Sequence, residues 1–428
     1  MIASLFAAAM LLMAADSAPL DVAPVWSAHP VGFSLLTHGG HQFVAFYSAD
    51  RQMTVAERTL PGRVWRFTRL DSKLAWDSHN SLTLAVDSEG YLHLSGNMHV
   101  VPLVYFRSTR ALDASSLERV PSMVGRDEEK CTYPVWLKSA RGELIFTYRD
   151  GRSGSGNQIY NIYDAKARTW KRLLDQPLTD GQGRMNAYFQ GPLLGPDGWW
   201  HLVWTWRDTP DCSTNHDLSY ARSRDLTHWE TSDGRLLPLP IKLETAEIVD
   251  RVPVKGGMIN GNTKIGFDSQ NRVVIAYHKF DEKGFTQIML ARREKDGWKT
   301  TQVSDWQYRW DFQGGGTIPF EITHGAVSTG GRGRLRLSFR HEKYGSGEWT
   351  LDDATLRPVA TGARSPGSIP AAWNDVESSF SGMRVNVTPG SGDGRYYLRW
   401  ETLGPNRDRP RPPPLPEPTM LRVLELPR

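Results

Sequence analysis

The chain has 428 residues, with 51 Lys and Arg against 47 Asp and Glu and a formal charge of +4. A pI near 8.9 without any Lys/Arg run or RNA-recognition aromatic pattern argues against nucleic acid and suits an acidic saccharide partner. Two cysteines, Cys131 and Cys212, exclude a disulfide framework, and 39 Gly with 27 Pro and no long helical period describe short strands and turns.

The N-terminus, MIASLFAAAMLLMAADSAPL, has an apolar core followed by small residues at Ala14, Ala15 and Ala18. This pattern predicts a signal peptide over residues 1–18 and a secreted or periplasmic protein, with a catalytic domain over 19–428. The apolar run is too short and broken for a membrane span, so no membrane partner is expected.

A strand, a Gly turn and a second strand ending in aromatic and polar residues then recur. The unit appears as HGGHQFVAFYSAD from His38, EGYLHLSGNMH from Glu89, RGELIFTYRD from Arg141 and DGWWHLVWTWRD from Asp197. It returns as QNRVVIAYHKFD from Gln270, RGRLRLSFRHE from Arg332 and DGRYYLRWE from Asp393. Seven antiparallel hairpins at a spacing of roughly 50 to 75 residues predict an all-β fold, a seven-bladed β-propeller. Outer strands are expected at Leu103–Arg107, Ile159–Tyr163, Asp217–Arg222 and Thr286–Arg292. After the Pro-rich stretch Pro405–Pro418, a last strand over Met420–Leu426 should pair with Asp21–Trp26 and close the final blade.

Candidate chemistry lies at the hairpin ends. His79 precedes the first strand of the second hairpin and His99 follows its second strand, so both imidazoles should emerge at one sheet edge. Tyr133 and Arg149 flank the next hairpin in the same way. Second strands ending in Tyr148-Arg149, Trp206-Arg207, His278-Lys279, Arg340-His341 and, in the second hairpin, Asn97-Met98-His99 predict a basic ring at one mouth. Polar clusters precede strands at matching ends: Cys131-Thr132-Tyr133-Pro134, Asn186-Ala187-Tyr188, and Asn260-Gly261-Asn262-Thr263-Lys264. His201, Cys212 and His216 make a candidate set for a structural zinc, with His278, His324 or His341 as fourth ligand; a buried thiol with two hydrogen-bonded histidines is the alternative.

The stretches HNSLTLAVDSEGYLHL, TYP, YRDGRSGSGN, WRDTPDCSTNHDLSYARS, GMINGNTKIGFDSQNR and YRWDFQGGGTI run in order between about Pro30 and Gly316. With them the chain resembles the BNR-repeat-containing propeller family, which includes ulvan lyases and rhamnosyl-glucuronate lyases. The resemblance implies a monomeric polysaccharide lyase that cleaves rhamnose-(1→4)-glucuronate linkages by β-elimination, in ulvan or rhamnose-capped arabinogalactan-type glycans. It implies catalysis by His79, His99, Tyr133 and Arg149 without a catalytic cofactor, and substrate contacts at Asn80, Tyr188, Arg207, Asn262 and Lys264. A structural zinc occurs in a similar region of some ulvan lyases.

Elimination needs the uronate carboxylate neutralised before the carbon 5 proton can leave, which suits the planar fork of Arg149. Tyr133 could serve as both base and acid, since in glucuronate the proton and leaving oxygen share a side; His79 or His99 could be the base instead. Two other readings stay open. A branch that hydrolyses rhamnose from glucuronate works from the opposite face with a first-blade histidine, where this chain has His38 and His41. A non-catalytic carbohydrate-binding propeller would need the basic cleft but not the Tyr/His set.

Overall fold

A computed structural model describes residues 19–365 and 369–426. The expected signal peptide lies outside the described residues. The described chain is all-β, with 31 strands and three short 3-10 helices. It divides into two compact units. The first is built from the described residues within Met1–Met98, Val104–Pro121 and Pro366–Arg428, the second from His99–Leu103 and Ser122–Ser365. Among the described residues the strands form seven antiparallel sheets of four or five strands each.

Three sheets belong to the first unit. One runs through Ser34–His38, His41–Tyr47, Gln52–Thr59 and Arg66–Lys73, and the next through Thr83–Val86, Leu92–Ser95, Tyr105–Ser108 and Leu117–Arg119. The third joins the two ends of the chain: Leu20–Val25 pairs with Thr419–Glu425, which pairs with Tyr396–Leu403 and then Met383–Pro389. The expected closing strand is therefore present, with Leu20 opposite Val423 and Val25 opposite Thr419.

The second unit holds four sheets, centred on the hairpins ending in Leu144–Arg152, Trp200–Arg207, Val273–Phe280 and Arg334–His341. Central strands are buried on both faces, so their cores are continuous apolar runs such as Val273 to Tyr277. Trp204, Trp206 and Trp229 pack with Leu202, Leu226 and Ile241 between the strands of one sheet and its neighbour.

The hairpin turns repeat because a side-chain oxygen stands in for a backbone acceptor. Asp87 Oδ1 accepts the N–H groups of Glu89 and Tyr91 at 2.9 and 2.8 Å. Asp268 Oδ1 does the same for Gln270 and Arg272, both at 2.9 Å, and Ser139 Oγ for Arg141 and Glu143, both at 3.2 Å. Such i to i+2 bonds favour a tight turn over a continued strand.

One expectation changes. His99 does not end the hairpin sheet that follows His79. The chain leaves that sheet at Gly96, where a Cβ would sit 2.6 Å from both Ser81 O and Leu82 Cδ2. Asn97 follows in the left-handed region with φ 55°. The short strand His99–Val101 then joins the sheet of the second unit, where His99 pairs with Thr132. One sheet edge does not carry both imidazoles.

Candidate active site

Three strands of the second unit set Thr132 between His99 on one side and Arg149 on the other. The middle strand, Cys131–Lys138, shifts register between Thr132 and Val135, and Tyr133 there takes φ 58°. A bulge of this kind re-aims a side chain out of the regular alternation. Val100, beta-branched yet at φ 59°, sits beside it. Two non-glycine residues in that region cost about 1–3 kcal/mol each, strain of the sort that gathers at working sites.

Arg149 is only 2% exposed. Its Nη2 donates to Thr132 Oγ1 at 3.1 Å and its Nη1 to the Tyr188 hydroxyl at 3.3 Å. The guanidinium carbon lies 5.0 Å from the centre of the Tyr133 ring and 5.9 Å from that of Tyr188. Among the described residues no carboxylate pairs with this cation, and its Nε has no partner. Asn186 Nδ2 is also buried and unpartnered. Gly156 makes room for this arrangement: a Cβ there would come within 2.9 Å of Arg149 Cδ and 2.8 Å of Asn186 Oδ1.

Tyr188 links two cations. Its hydroxyl meets Ser153 Oγ at 2.6 Å, its ring stands edge-on to Tyr133 with centroids 6.3 Å apart, and the Arg207 guanidinium lies 5.3 Å from its centre. Arg207 donates from Nε to Thr209 O at 3.0 Å, from Nη1 to Asn260 Oδ1 at 3.4 Å and from Nη2 to Pro210 O. Tyr133, Arg149, Tyr188 and Arg207 are thus brought together as their hairpin positions implied. Sequence reasoning placed Thr132 and Asn260 in polar clusters without giving them a role, and missed Ser153. Thr132 Oγ1 also accepts from Val100 N at 2.9 Å, so one hydroxyl fixes both the His99 strand and Arg149.

Other candidates are placed differently. Asn262 is buried and donates to Ile322 O at 3.0 Å, while its carbonyl meets His324 Nε2 at 2.8 Å; it is Asn260 that reaches Arg207. Lys264 Nζ donates to Gly261 O at 3.3 Å, and burial lowers its pKa. In the first unit His79 Nδ1 lies 2.7 Å from Asp77 Oδ1, and the Asn80 carbonyl accepts the Tyr47 hydroxyl at 2.7 Å. Of the expected basic ring, Arg149 and Arg207 meet at Tyr188, with His99 one strand from Arg149. His278 is fully enclosed, with its pKa pushed by burial down to about 3, Lys279 is paired to Asp250 at 2.6 Å, and Arg340 donates to Phe320 O. His341 accepts Lys343 N at Nδ1, at 3.0 Å, and burial takes its pKa to about 4.

The zinc set does not assemble. His216 pairs with Trp206, five positions along the strand from His201, a separation of about 16 Å at strand rise. His201 instead bridges Asp197 Oδ1 at 3.0 Å and the Tyr220 hydroxyl at 2.8 Å. The first unit repeats this device without a cysteine, His93 bridging Asp87 at 3.3 Å and Tyr105 at 2.7 Å. Burial lowers the pKa of both histidines. His216 lies between Asp208 and Asp217, at 3.0 and 3.2 Å; burial opposes its charge, but the two carboxylates outweigh burial and raise its pKa. Cys212 packs with Ile259, Trp310 and Ile318. Among the described residues both cysteines are free and buried.

The chain is similar in fold to the solved structure of the polysaccharide lyase Uly1, at 14% identity and a TM-score of 0.60 over 93% of this chain and 90% of that one. It is similar to a PL25 ulvan lyase at 13% identity and a TM-score of 0.60, covering 95% of this chain and 96% of that one. The same figures hold for a structure of that lyase bound to -[GlcA(1-4)Rha3S]-. No curated protein matches the chain at the sequence level. A family model for BNR repeat-containing family members matches residues 41–306, well over half of the sequence, and the chain belongs to that family.

Proposed function

We propose that the protein is a secreted polysaccharide lyase, built as a seven-bladed propeller, that breaks rhamnose-(1→4)-glucuronate linkages of acidic glycans by β-elimination. The observation that carries the reading is Arg149, a buried cation with no carboxylate partner among the described residues, set 5.0 Å from the Tyr133 ring. A buried charge left unpaired is costly, so its retention is best explained by an anion that arrives with the substrate. The fold likeness to polysaccharide lyases, one of them holding a glucuronate–rhamnose oligosaccharide, supports the same substrate class.

In this reading the uronate carboxylate sits against Arg149, using the free Nε, and Arg207 supplies a second cation across Tyr188. Neutralising the carboxylate stabilises the carbanion-like state formed as the carbon 5 proton departs. The Tyr133 hydroxyl takes that proton or gives one to the leaving carbon 4 oxygen, with His99 of the same unit as the other proton carrier. Tyr188, fixed by Ser153, offers a ring and a hydroxyl to the adjoining sugar. The test is incubation with ulvan and with rhamnose-capped arabinogalactan oligosaccharides, following ultraviolet absorbance of the unsaturated uronate. Rhamnose release without that chromophore would make the protein a hydrolase.

A further inference from the structure

In the second unit, the loop that holds Arg207 also forms a wall of a cavity. The cavity has a volume of about 340 Å³ and is lined by Ser213, Lys255, Phe280, Arg309, Asp311 and Phe312. That size falls in the range of small-ligand sites. Arg207 donates to the carbonyls of Thr209 and Pro210. Ser213 stands three positions after Pro210, a span of at most about 11 Å. Asp211 Oδ1 clamps this loop, accepting Ser213 N at 2.8 Å and Gly314 N at 2.7 Å. The other walls are hydrogen-bonded too: Lys255 N donates to Ser213 O at 2.9 Å, and Phe280 N to Gly256 O at 2.8 Å. Gly257, at φ 81°, lets Phe280 lie close, since a Cβ there would be 2.5 Å from the ring. The cavity is therefore built without a ligand, which lowers the cost of filling it.

Its charges are two cations and one carboxylate. Arg309 is partly committed: Nε donates to Asp311 Oδ1 at 2.8 Å and Nη1 to Gly284 O at 3.0 Å, and the guanidinium carbon lies 3.8 Å from the centre of the Phe280 ring. Among the described residues its Nη2 has no hydrogen-bond partner, and the exposed Lys255 ammonium has no carboxylate partner. Lys255 stands in the left-handed region at φ 60°, a costly conformation for a residue with a side chain. We propose that this cavity is a second site for the glycan, taking a sugar unit whose anionic group, a sulfate ester or a carboxylate, sits against Lys255 Nζ and Arg309 Nη2. The proposal rests on the reading of Arg149 as the uronate site and puts both sugars on one chain. Charge-assisted bonds of this kind are the strong ones. Asp311 cancels one of the two cations, so the cavity suits a single anionic group. Phe280 and Phe312 give the sugar ring an apolar surface, Phe312 being braced edge-on by Trp310 at 4.9 Å.

The test measures calorimetric binding and steady-state turnover of ulvan oligosaccharides, sulfated and desulfated, in the parent and in Lys255 variants. Lys255→Gly removes the ammonium at a φ that glycine adopts freely, so its thermal unfolding should stay close to that of the parent. Its affinity for the sulfated oligosaccharide should fall about tenfold and KM should rise to match, with kcat within about twofold, as for one lost bond to a charged group. Lys255→Glu should weaken binding further, and Lys255→Arg should restore it. A loss confined to the sulfated oligosaccharide assigns the cavity to a sulfate ester; an equal loss on the desulfated one assigns it to a carboxylate. Affinity unchanged for both oligosaccharides in Lys255→Gly and Lys255→Glu overturns the proposal. A parent that yields no unsaturated product overturns the lyase reading instead, and the calorimetry still decides whether the cavity takes the glycan.

Discussion

Two polar regions of the second unit look alike in sequence and behave differently in space. Around Arg149 the side chains Thr132, Tyr133, Ser153, Tyr188 and Arg207 converge, yet Arg149 Nε and Asn186 Nδ2 remain without protein partners. Around His201 both ring nitrogens are taken, by Asp197 and Tyr220, and the strand register keeps His216 distant. Buried polar groups in folded proteins are normally satisfied, so leftovers carry information. The His201 region is finished without a ligand. The Arg149 region is not.

The comparison is sharpened most by Arg149→Ala. Turnover on uronate glycan should drop by about a thousandfold, as when a main charge-stabilising donor is removed, with little loss of stability because the chain no longer buries an unpaired cation. Tyr133→Phe retains the ring against Arg149 and should lose about a hundredfold in turnover with unchanged unfolding, read by steady-state kinetics beside thermal melting. Thr132→Val removes the acceptor shared by Arg149 and Val100; loss of about tenfold is expected, together with a destabilisation of about 1–3 kcal/mol from unmade bonds, measurable by urea unfolding.

The finished region should respond in the opposite way. Elemental analysis should find the same metal content in the parent and in Cys212→Ala, since strand register keeps His201 and His216 apart. Metal lost with Cys212 would break the contrast. His41→Ala should leave elimination intact, because that side chain sits at the turn end of its hairpin, opposite His38. Essential His41 with an active Tyr133→Phe would move the chemistry to the other end.

Acid should also separate the parts. Burial holds His278 at about 3 and His324 at about 4, both below the ordinary 6.5. For a base with a depressed folded value, the unfolded chain takes up protons first. Stability is then full above about pH 6.5 and declines as pH falls toward 4 and 3. His278→Phe should flatten that decline in melting curves recorded across this range.

How legible was this in the sequence? The hairpins were, because several are local devices: an Asp or Ser accepting from its own turn, then a residue at positive φ and alternating strands. Asp87 and Asp268 show it at two separate turns. Tyr133 and Arg149 were legible for the same reason, since they flank one such hairpin. His99 was not, because its departure from the sheet depends on how closely Gly96 approaches Ser81 and Leu82. Thr132, Ser153 and Asn260 carry common hydroxyls and amides whose use depends on a bulge and on neighbouring strands. The zinc set was misread because spacing along the chain says nothing of register. Five residues along a strand outweigh a favourable choice of ligands.

The pairing of Leu20–Val25 with Thr419–Glu425 has a consequence for how the molecule is made. Among the described residues the first strand has its partner in the last, so that sheet stays incomplete until synthesis has passed Glu425. The entropy of closing so long a loop grows slowly, by about 0.6 kcal/mol per doubling of length, so distance itself is a modest obstacle. Exposure is the greater one. Until closure, Leu20–Val25 and Tyr396–Leu403 each present an open row of backbone donors and acceptors to any other strand nearby. A chain stopped short of Thr419 never covers those rows, and its signature would be self-association rather than loss of a side chain from the site.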